Sequence, residues 1–410
     1  MTPLRLAGLG LLALAPSTRS AQKVWVVDDT PGPGVDFVRI QNAVDAASEG
    51  DAILVKPGSY KPFVVDGKSL VIFADAPPPA VFVGPPVFPL VVPAIAIVRN
   101  LAAGQSVSMR GIRFDAFTFS SVRVESCDGA VLIEDCQGVS TAIVSSDDVA
   151  LVRSKLESGL TATSSSGALY ECDLTGPNGG AALALNGSTV FSSGSILTGG
   201  HGSNGGGCAP GPFGDCFPFG GCSNGGPGGA GLNINASSVL YRFDTAIAGG
   251  AGGAGGFPTC SGPCSNCPGM NGPPGPAIVG TGSVVNLAGA NRVLTASATV
   301  REGQTLALSA TGVPNERVFA FASLAADPTL LLPWSGMYVP TEPWEILDLG
   351  TLPVTGLPVS TVTVNVPIGD ILPSMQGIPL YVQALFADPS LLGPNFLGSP
   401  SATLLLDSAF

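Results

Sequence analysis

The sequence predicts an all-β chain: a right-handed parallel β-helix (a solenoid), capped by a short N-terminal helix and followed by a C-terminal β-sandwich. Three observations carry this reading. Between residues 124 and 177 the stretches "ESCDGAVLIEDC", "VSSDDVALVRSK" and "TATSSSGALYEC" align on one another, with a core match at 18 residues, and a period near 20 marks a solenoid. The chain holds 56 glycines and 37 prolines with only 11% charged residues, a composition of turns and buried strands. From about Ala290 the strand spacing widens, as a separate module requires.

The chain opens with Arg5, the apolar run "LAGLGLLALA", Pro16 and small residues, the order of a secretory signal peptide. This sets a leader over 1–20, cleaved near Ser20 or Ala21. Without it, 29 acidic face 15 basic residues, an excess that repels nucleic acid and anionic lipid. The apolar runs are too short or too proline-broken to span a bilayer, so the expectation is a secreted or cell-surface monomer. Nine cysteines in an exported chain point to disulfides with at least one thiol left over.

The solenoid is assigned to 21–289. In the 18-residue alignment Ile133, Leu151 and Leu169 share one inward column, and Val124, Ala142 and Leu160 another. Asp135, Arg153 and Glu171 form an acid, base, acid ladder at the ~4.8 Å strand spacing, so each neutralises its neighbour. "VSMRGIRF" continues the pattern upstream. "LNGSTVFSSGSILTGG", "INASSVLYRFDTAIAGG" and "IVGTGSVVNLAG" continue it downstream, with two long loops (199–230 and 249–276) inserted between them. Both leave after a Gly-Gly pair, so they must lie side by side. Asn186 and Asn235 open "NGS" and "NAS" at equivalent positions, as stacked turn asparagines rather than glycosylation acceptors.

Near the N-terminus Ile40, Ala43, Val44 and Ala47 make one apolar helical face, and Gly50 supplies a left-handed stop. Such a face covers the open end of a solenoid. The surrounding stretch, "VWVVDDTPGPGVDFVRIQNAVDAASEGDAILVKPGSY", resembles the N-terminal signature of right-handed β-helix proteins of the pectin-lyase-like group, and the resemblance extends over roughly 22–289. It implies the fold. For activity it leaves lyases, hydrolases and adhesins open.

Six cysteines fall in the two loops: Cys208, Cys216 and Cys222 in one, Cys260, Cys264 and Cys267 in the other. They are the disulfide candidates, and if all pair, at least one bridge joins the loops. Covalent staples are expected to order segments too glycine-rich to bury a core. A collagen reading fails for want of a strict three-residue period, and a calcium-binding glycine repeat for want of carboxylates. Cys136 and Cys172 share a column two rungs apart. At ~9.6 Å they exceed the ~7 Å limit for a bridge.

For glycan chemistry the candidate catalytic carboxylates are Asp147 and Asp148. With Asp128 on the preceding rung they make a candidate calcium site of the kind lyases of this fold use, in which the metal neutralises a uronate. His201, the sole histidine, lies 53 residues from Asp148 in a glycine loop, so the Asp-Asp and Gly-His-Gly pieces of a polygalacturonase-like set do not assemble. In the module, assigned to 290–410, Trp334, Tyr338 and Trp344 are candidates for stacking on sugar rings. The module itself is expected to cap the far end of the solenoid. The functional expectation is an exported, non-enzymatic β-helix that binds extracellular polysaccharide or a cell-surface component. The alternative is a polysaccharide lyase or glycoside hydrolase acting on an acidic glycan.

Overall fold

The computed structural model describes residues 22–76, 80–84, 94–115, 120–206, 222–256, 269–331, 336–341, 345–371, 376–388 and 395–410; the leader assigned to 1–20 lies outside them. The described chain is almost all β and winds as a parallel β-helix with three faces. Sheet A has ten strands, from Val24–Val27 to Ser283–Leu287. Sheet B has eight, from Gly58–Tyr60 to Ala246–Ala248, and sheet C eight, from Phe63–Asp66 to Ile278–Gly280. Parallel strands fed by turns bury alternate side chains inward. The interior is accordingly a stack of Val, Ile, Leu and Ala running the length of the coil.

The stacking confirms one predicted column and corrects another. Ile133, Leu151 and Leu169 are in register on sheet A. On sheet C, however, Val124 pairs with Ile143 and then Ala162, while Ala142 points outward. The cause is turn length: Val124 to Ile133 is nine residues, Ile143 to Leu151 eight, and Ala162 to Leu169 seven. An ungapped 18-residue alignment therefore slips by one per rung there.

Small polar side chains stack inside two corners. Cys127, Ser146, Ser165, Ser188 and Ser238 form one buried column, in which each backbone N–H donates to the hydroxyl of the next rung at 3.1 to 3.2 Å. Cys136, Ser154, Cys172 and Ser195 form a second, again with thiol residues donating from their backbone to the next serine. These bonds satisfy corner amides that no strand can reach.

The helix, Ile40–Ala46, covers the first coil as expected, with Ile40, Ala43 and Val44 buried, as is Ala47 just past its end. Gln41 exchanges two hydrogen bonds with the Val64 backbone, closing the free edge of sheet C, and Lys68 Nζ takes the terminal carbonyls of Val44 and Ala47. Gly50 is left-handed (φ 85°) but acts in the Ser48–Asp51 turn, since the helix ends in extended Ala47.

The two glycine loops correct the sequence reading most. Their described legs, 199–206, 222–231, 249–256 and 269–277, contain no strand or helix and are held by hydrogen bonds of period three. Gly199, Gly202 and Gly205 donate to Ala248, Ala251 and Ala254; Gly250, Gly253 and Gly256 donate to Gly229, Gly226 and Ser223; Gly269, Gly272 and Gly275 donate to Gly256, Gly253 and Gly250. Three residues per turn with no internal bonds is the polyproline-II chain, whose packing in bundles needs glycine at each close approach. A Cβ on Gly253 would stand 2.0 Å from the Ser203 carbonyl oxygen, and one on Gly250 2.1 Å from that of Gly200. A local three-residue period thus exists, and backbone bonds order the described legs in addition to whatever disulfides close the loops beyond them. The loops do lie side by side, as antiparallel hairpins rising from the corner between sheets B and C.

The C-terminal residues form a three-stranded and a five-stranded sheet facing each other over their own core, with a hairpin (Ala326–Leu331, Gly336–Pro340). This sandwich does not cap the solenoid's far end. It lies lengthwise on the outer face of sheet A, where Met337, Val339, Tyr381, Ala402 and Leu404 pack on residues from Val24 to Phe243. The predicted ladder explains the placement. Asp135, Arg153 and Glu171 occupy the left-handed position between sheets A and B, and Arg153 pairs with Asp135 at 2.9 Å and also with Glu134. Arg110, unrecognised in the sequence, joins Glu134 and Asp135 at 3.2 and 2.9 Å and donates to the Ala402 and Ala296 carbonyls. Arg153 donates to Leu294 O, Asn291 to Glu171, and Arg301 pairs with Asp75. The strand leaving the solenoid is read rung by rung back toward the helix-capped end.

Glu171 is the least satisfied member: one carboxylate oxygen is buried without a partner. Burial, opposed by the Asn291 hydrogen bond and the Arg153 charge, raises its carboxyl to about 7. A carboxyl raised on folding stabilises the folded chain fully below its unfolded value of 4.5, and that contribution is lost as pH rises through about 7. The melting temperature is therefore expected to fall between about pH 5 and 8, and Glu171→Gln to flatten that slope; a slope that persists in the variant would refute the assignment. For the glycine bundle, Gly253→Ala is expected to cost at least about 1–3 kcal/mol and to raise amide exchange in 199–206 and 222–231. Gly32→Ala, where nothing lies within 4 Å, is the neutral control.

Candidate glycan-binding face and acidic corner

Sheet A is covered by the sandwich, which leaves sheets B and C as the outer faces of the coil. On sheet C, alternate residues of every strand point outward in register. One column runs Val64, Ile97, Arg123, Ala142, Thr161, Ala184 and Asn233. The next runs Asp66, Arg99, Glu125, Val144, Thr163 and Asn186, with Asn235 following. Its charges are already paired: Arg99 meets Asp66 at 2.8 Å and Arg123 meets Glu125 at 2.6 Å. The Asn100 amide, then Arg99, hold the exposed Asp66 carboxyl below its usual range. Beyond Glu125 the face carries only hydroxyls, amides and small apolar groups, with Thr161, Asn186, Asn233 and Asn235 exposed. Eight strands at ~4.8 Å make a track of roughly 34 Å. This face is hard to see in the sequence, because the period-two alternation on sheet C that marks it is blurred by the slipped register.

Asp128, Asp147 and Asp148 come to one corner, between sheets C and A, as the period predicted. The Asp147 backbone N–H bonds to Cys127 O at 3.0 Å, which sets it one rung above Asp128. Its carboxylate accepts the Ser166 hydroxyl at 2.9 Å, and Asp148 is left-handed (φ 56°). Among the described residues no three His, Cys, Asp or Glu side chains converge as a metal would need. The Asp147 carboxylate is used within the turn here, by Ser166, and calcium at this corner is a proposal. His201 stands at a different corner, in the first glycine leg, with its carbonyl accepting Gly179 N–H at 2.7 Å. Arg153, the nearest arginine in the sequence, is committed to the sandwich joint.

Of the loop cysteines only Cys222 lies within the described residues, and it is disulfide-bonded; Cys208, Cys216, Cys260, Cys264 and Cys267 lie outside them. Trp334 and Trp344 also lie outside. Tyr338 is half-buried and packs edge-on against Phe321, ring centroids 6.2 Å apart. The Asn235 amide oxygen accepts Gly187 N–H and the Ser238 hydroxyl, the role of a stacked turn asparagine.

No family model matches this chain, and no curated protein matches it. Among solved structures it is similar to the enzymatically active domain of bacteriophage CBA120 tailspike protein 2, at 10% identity and a TM-score of 0.27, with 85% of this chain and 70% of that one covered. No helix among the described residues is long and apolar enough to cross a membrane. The class stands on the chain's own geometry: a parallel β-helix with a β-sandwich along one face and a glycine bundle at one corner.

Cys127, Cys136 and Cys172 are free and buried, so Cys136 and Cys172 are not bonded to each other. Burial pushes the thiols of both Cys136 and Cys172 up to about 12, which leaves almost no thiolate at neutral pH. Alkylation of the native protein followed by peptide mapping is expected to leave all three unmodified, and alkylation after denaturation to modify all three. Labelling of Cys136 in the native state would overturn the buried polar column.

Proposed function

We propose that this protein is an exported, non-enzymatic scaffold that binds an extended extracellular polysaccharide, or a comparable polymer of a cell surface, along the outer face of sheet C. The observation that supports it most is the in-register track of hydroxyls and amides beyond Glu125. A polymer laid across the rungs meets Thr161, Thr163, Asn186, Asn233 and Asn235 on three successive ~4.8 Å steps, with Ala142, Val144 and Ala184 between them. Neutral partners suit sugar hydroxyls, and paired carboxylates and guanidiniums leave no unbalanced charge to select against neutral glycans. Export is read from the leader-like N-terminus and from the cysteine content. Calcium-dependent cleavage of an acidic glycan at Asp128, Asp147 and Asp148 is the second reading, favoured by the stacking of those acids at one corner.

One experiment separates the two. The mature protein is applied to immobilised acidic and neutral polysaccharides with and without calcium, while ultraviolet absorbance of unsaturated products is recorded. Retention without product is expected. Thr161→Ala with Asn186→Ala should weaken it several-fold, each lost hydrogen bond being worth about 1 kcal/mol. Product formed only with calcium and abolished by Asp147→Ala would replace binding with catalysis.

A further inference from the structure

The sandwich does not seat evenly along sheet A. Tyr381 reaches the outer face of that sheet, its hydroxyl 2.8 Å from Ser108 Oγ and both residues buried. Beside that contact, at the corner where sheet C turns into the first strands of sheet A, a cleft of about 350 Å³ opens. Small-molecule sites form preferentially where two domains meet, and this volume is at the low end of their ~300–1,000 Å³ range. The solenoid wall carries Gln22, Glu49, Ser69 and Ser106; the sandwich wall is aliphatic, with Ala325 and Pro379. Glu49 is the sole charge in the lining. Its carboxylate accepts Ser69 N–H at 3.0 Å and the Gln105 amide at 3.2 and 3.3 Å. Both donors are neutral, so the oxygens are held in place with their charge uncancelled. Ser69 Oγ accepts Ser106 N–H at 3.0 Å, which leaves its own proton to donate into the cleft. Gln22 Oε1 is buried without a partner, so turning that amide toward the cleft costs its oxygen no hydrogen bond and gains one.

We infer that this cleft is a binding site for a single neutral sugar ring. Its two walls match the two sides of such a ring. A fixed carboxylate accepts from adjacent hydroxyls, in charge-assisted bonds roughly twice as strong as neutral ones. The aliphatic wall of Ala325 and Pro379 covers the ring's C–H face, which a fully polar slot would leave unmatched. The uncancelled charge of Glu49 disfavours uronates and phosphates, so the site selects neutral ligands. It is separate from the sheet C track and does not depend on it: the cleft belongs to the turns of the first rungs, whereas Thr161 and Asn186 lie farther along the coil.

The test is a titration of the full mature chain, followed by nuclear magnetic resonance, with the methyl glycosides of glucose, galactose and mannose and with the matching uronates. Saturable binding of at least one neutral glycoside is expected, with its uronate several-fold weaker. Glu49→Gln should weaken the neutral glycoside about tenfold, through loss of charge-assisted hydrogen bonds, and narrow the gap to the uronate. Ala325→Phe, which fills the cleft and leaves the carboxylate in place, should abolish binding with the melting profile kept. Neither variant touches sheet C, so retention on immobilised polysaccharide should stay at the wild-type level, and loss of one kind of binding without the other tells the two sites apart. Failure of all three neutral glycosides to bind, binding that survives Ala325→Phe, or uronates held as tightly as neutral sugars would overturn the proposal.

Discussion

The structure depends on one repeated interaction, the hydrogen bond along the coil axis from a residue to its counterpart one rung away. Because it joins like positions, it converts the sequence into columns. A column of Ile133, Leu151 and Leu169 makes core, and one of Cys127, Ser146, Ser165 and Ser188 makes a buried polar spine. The same rule governs the glycine legs, where the strand's period of two gives way to a period of three. Rungs and legs are continuous: Gly199 N–H bonds to Ala248 O just beyond the sheet B strands, and the triplet pattern proceeds outward from there.

This explains what could be read from the sequence. Columns with constant turn length were legible, since identical spacing puts like residues in register. The column through Val124 was not, because each turn between sheets C and A loses one residue and no single period fits both faces. The helical cap was legible from the spacing of Ile40, Ala43, Val44 and Ala47. The three-residue period of the glycine legs was hidden by its brevity, about three repeats per leg, and by legs that pair with partners 13 to 49 residues away. The Asp135, Arg153, Glu171 ladder was visible, but Arg110 and Glu134 belong to strands and looked like ordinary outward residues.

Those two residues decide where the sandwich sits. Arg110 is 6% and Glu134 1% exposed, and burying such a pair yields little net stability by itself. Its cost is offset only when every donor and acceptor is used, and here the sandwich supplies what is lacking: Ser401 Oγ and Ala402 N–H to Glu134, and two carbonyls to Arg110. Without the sandwich the pair would face water; with the sandwich shifted by one residue it would be buried with donors and acceptors unmatched, at about 1–3 kcal/mol for each unsatisfied group. The pair therefore sets register more than stability. Arg292, buried on Glu316 and stacked on Phe396 at 3.9 Å, fixes the turn that sends the chain back along sheet A.

With sheet A taken by the sandwich, the remaining surfaces divide by chemistry. The corner between sheets B and C carries the glycine legs, and sheet C beyond Glu125 presents exposed Thr161, Asn186, Asn233 and Asn235. A sandwich placed on the far end, as its position in the chain suggests, would have left ten strands of apolar outer face, including Tyr170, Phe191 and Phe243, exposed to water. Covering that face removes far more apolar area than covering one rung would. The energetically larger problem, an apolar face along the length of the coil, is thus solved within the chain by the sandwich.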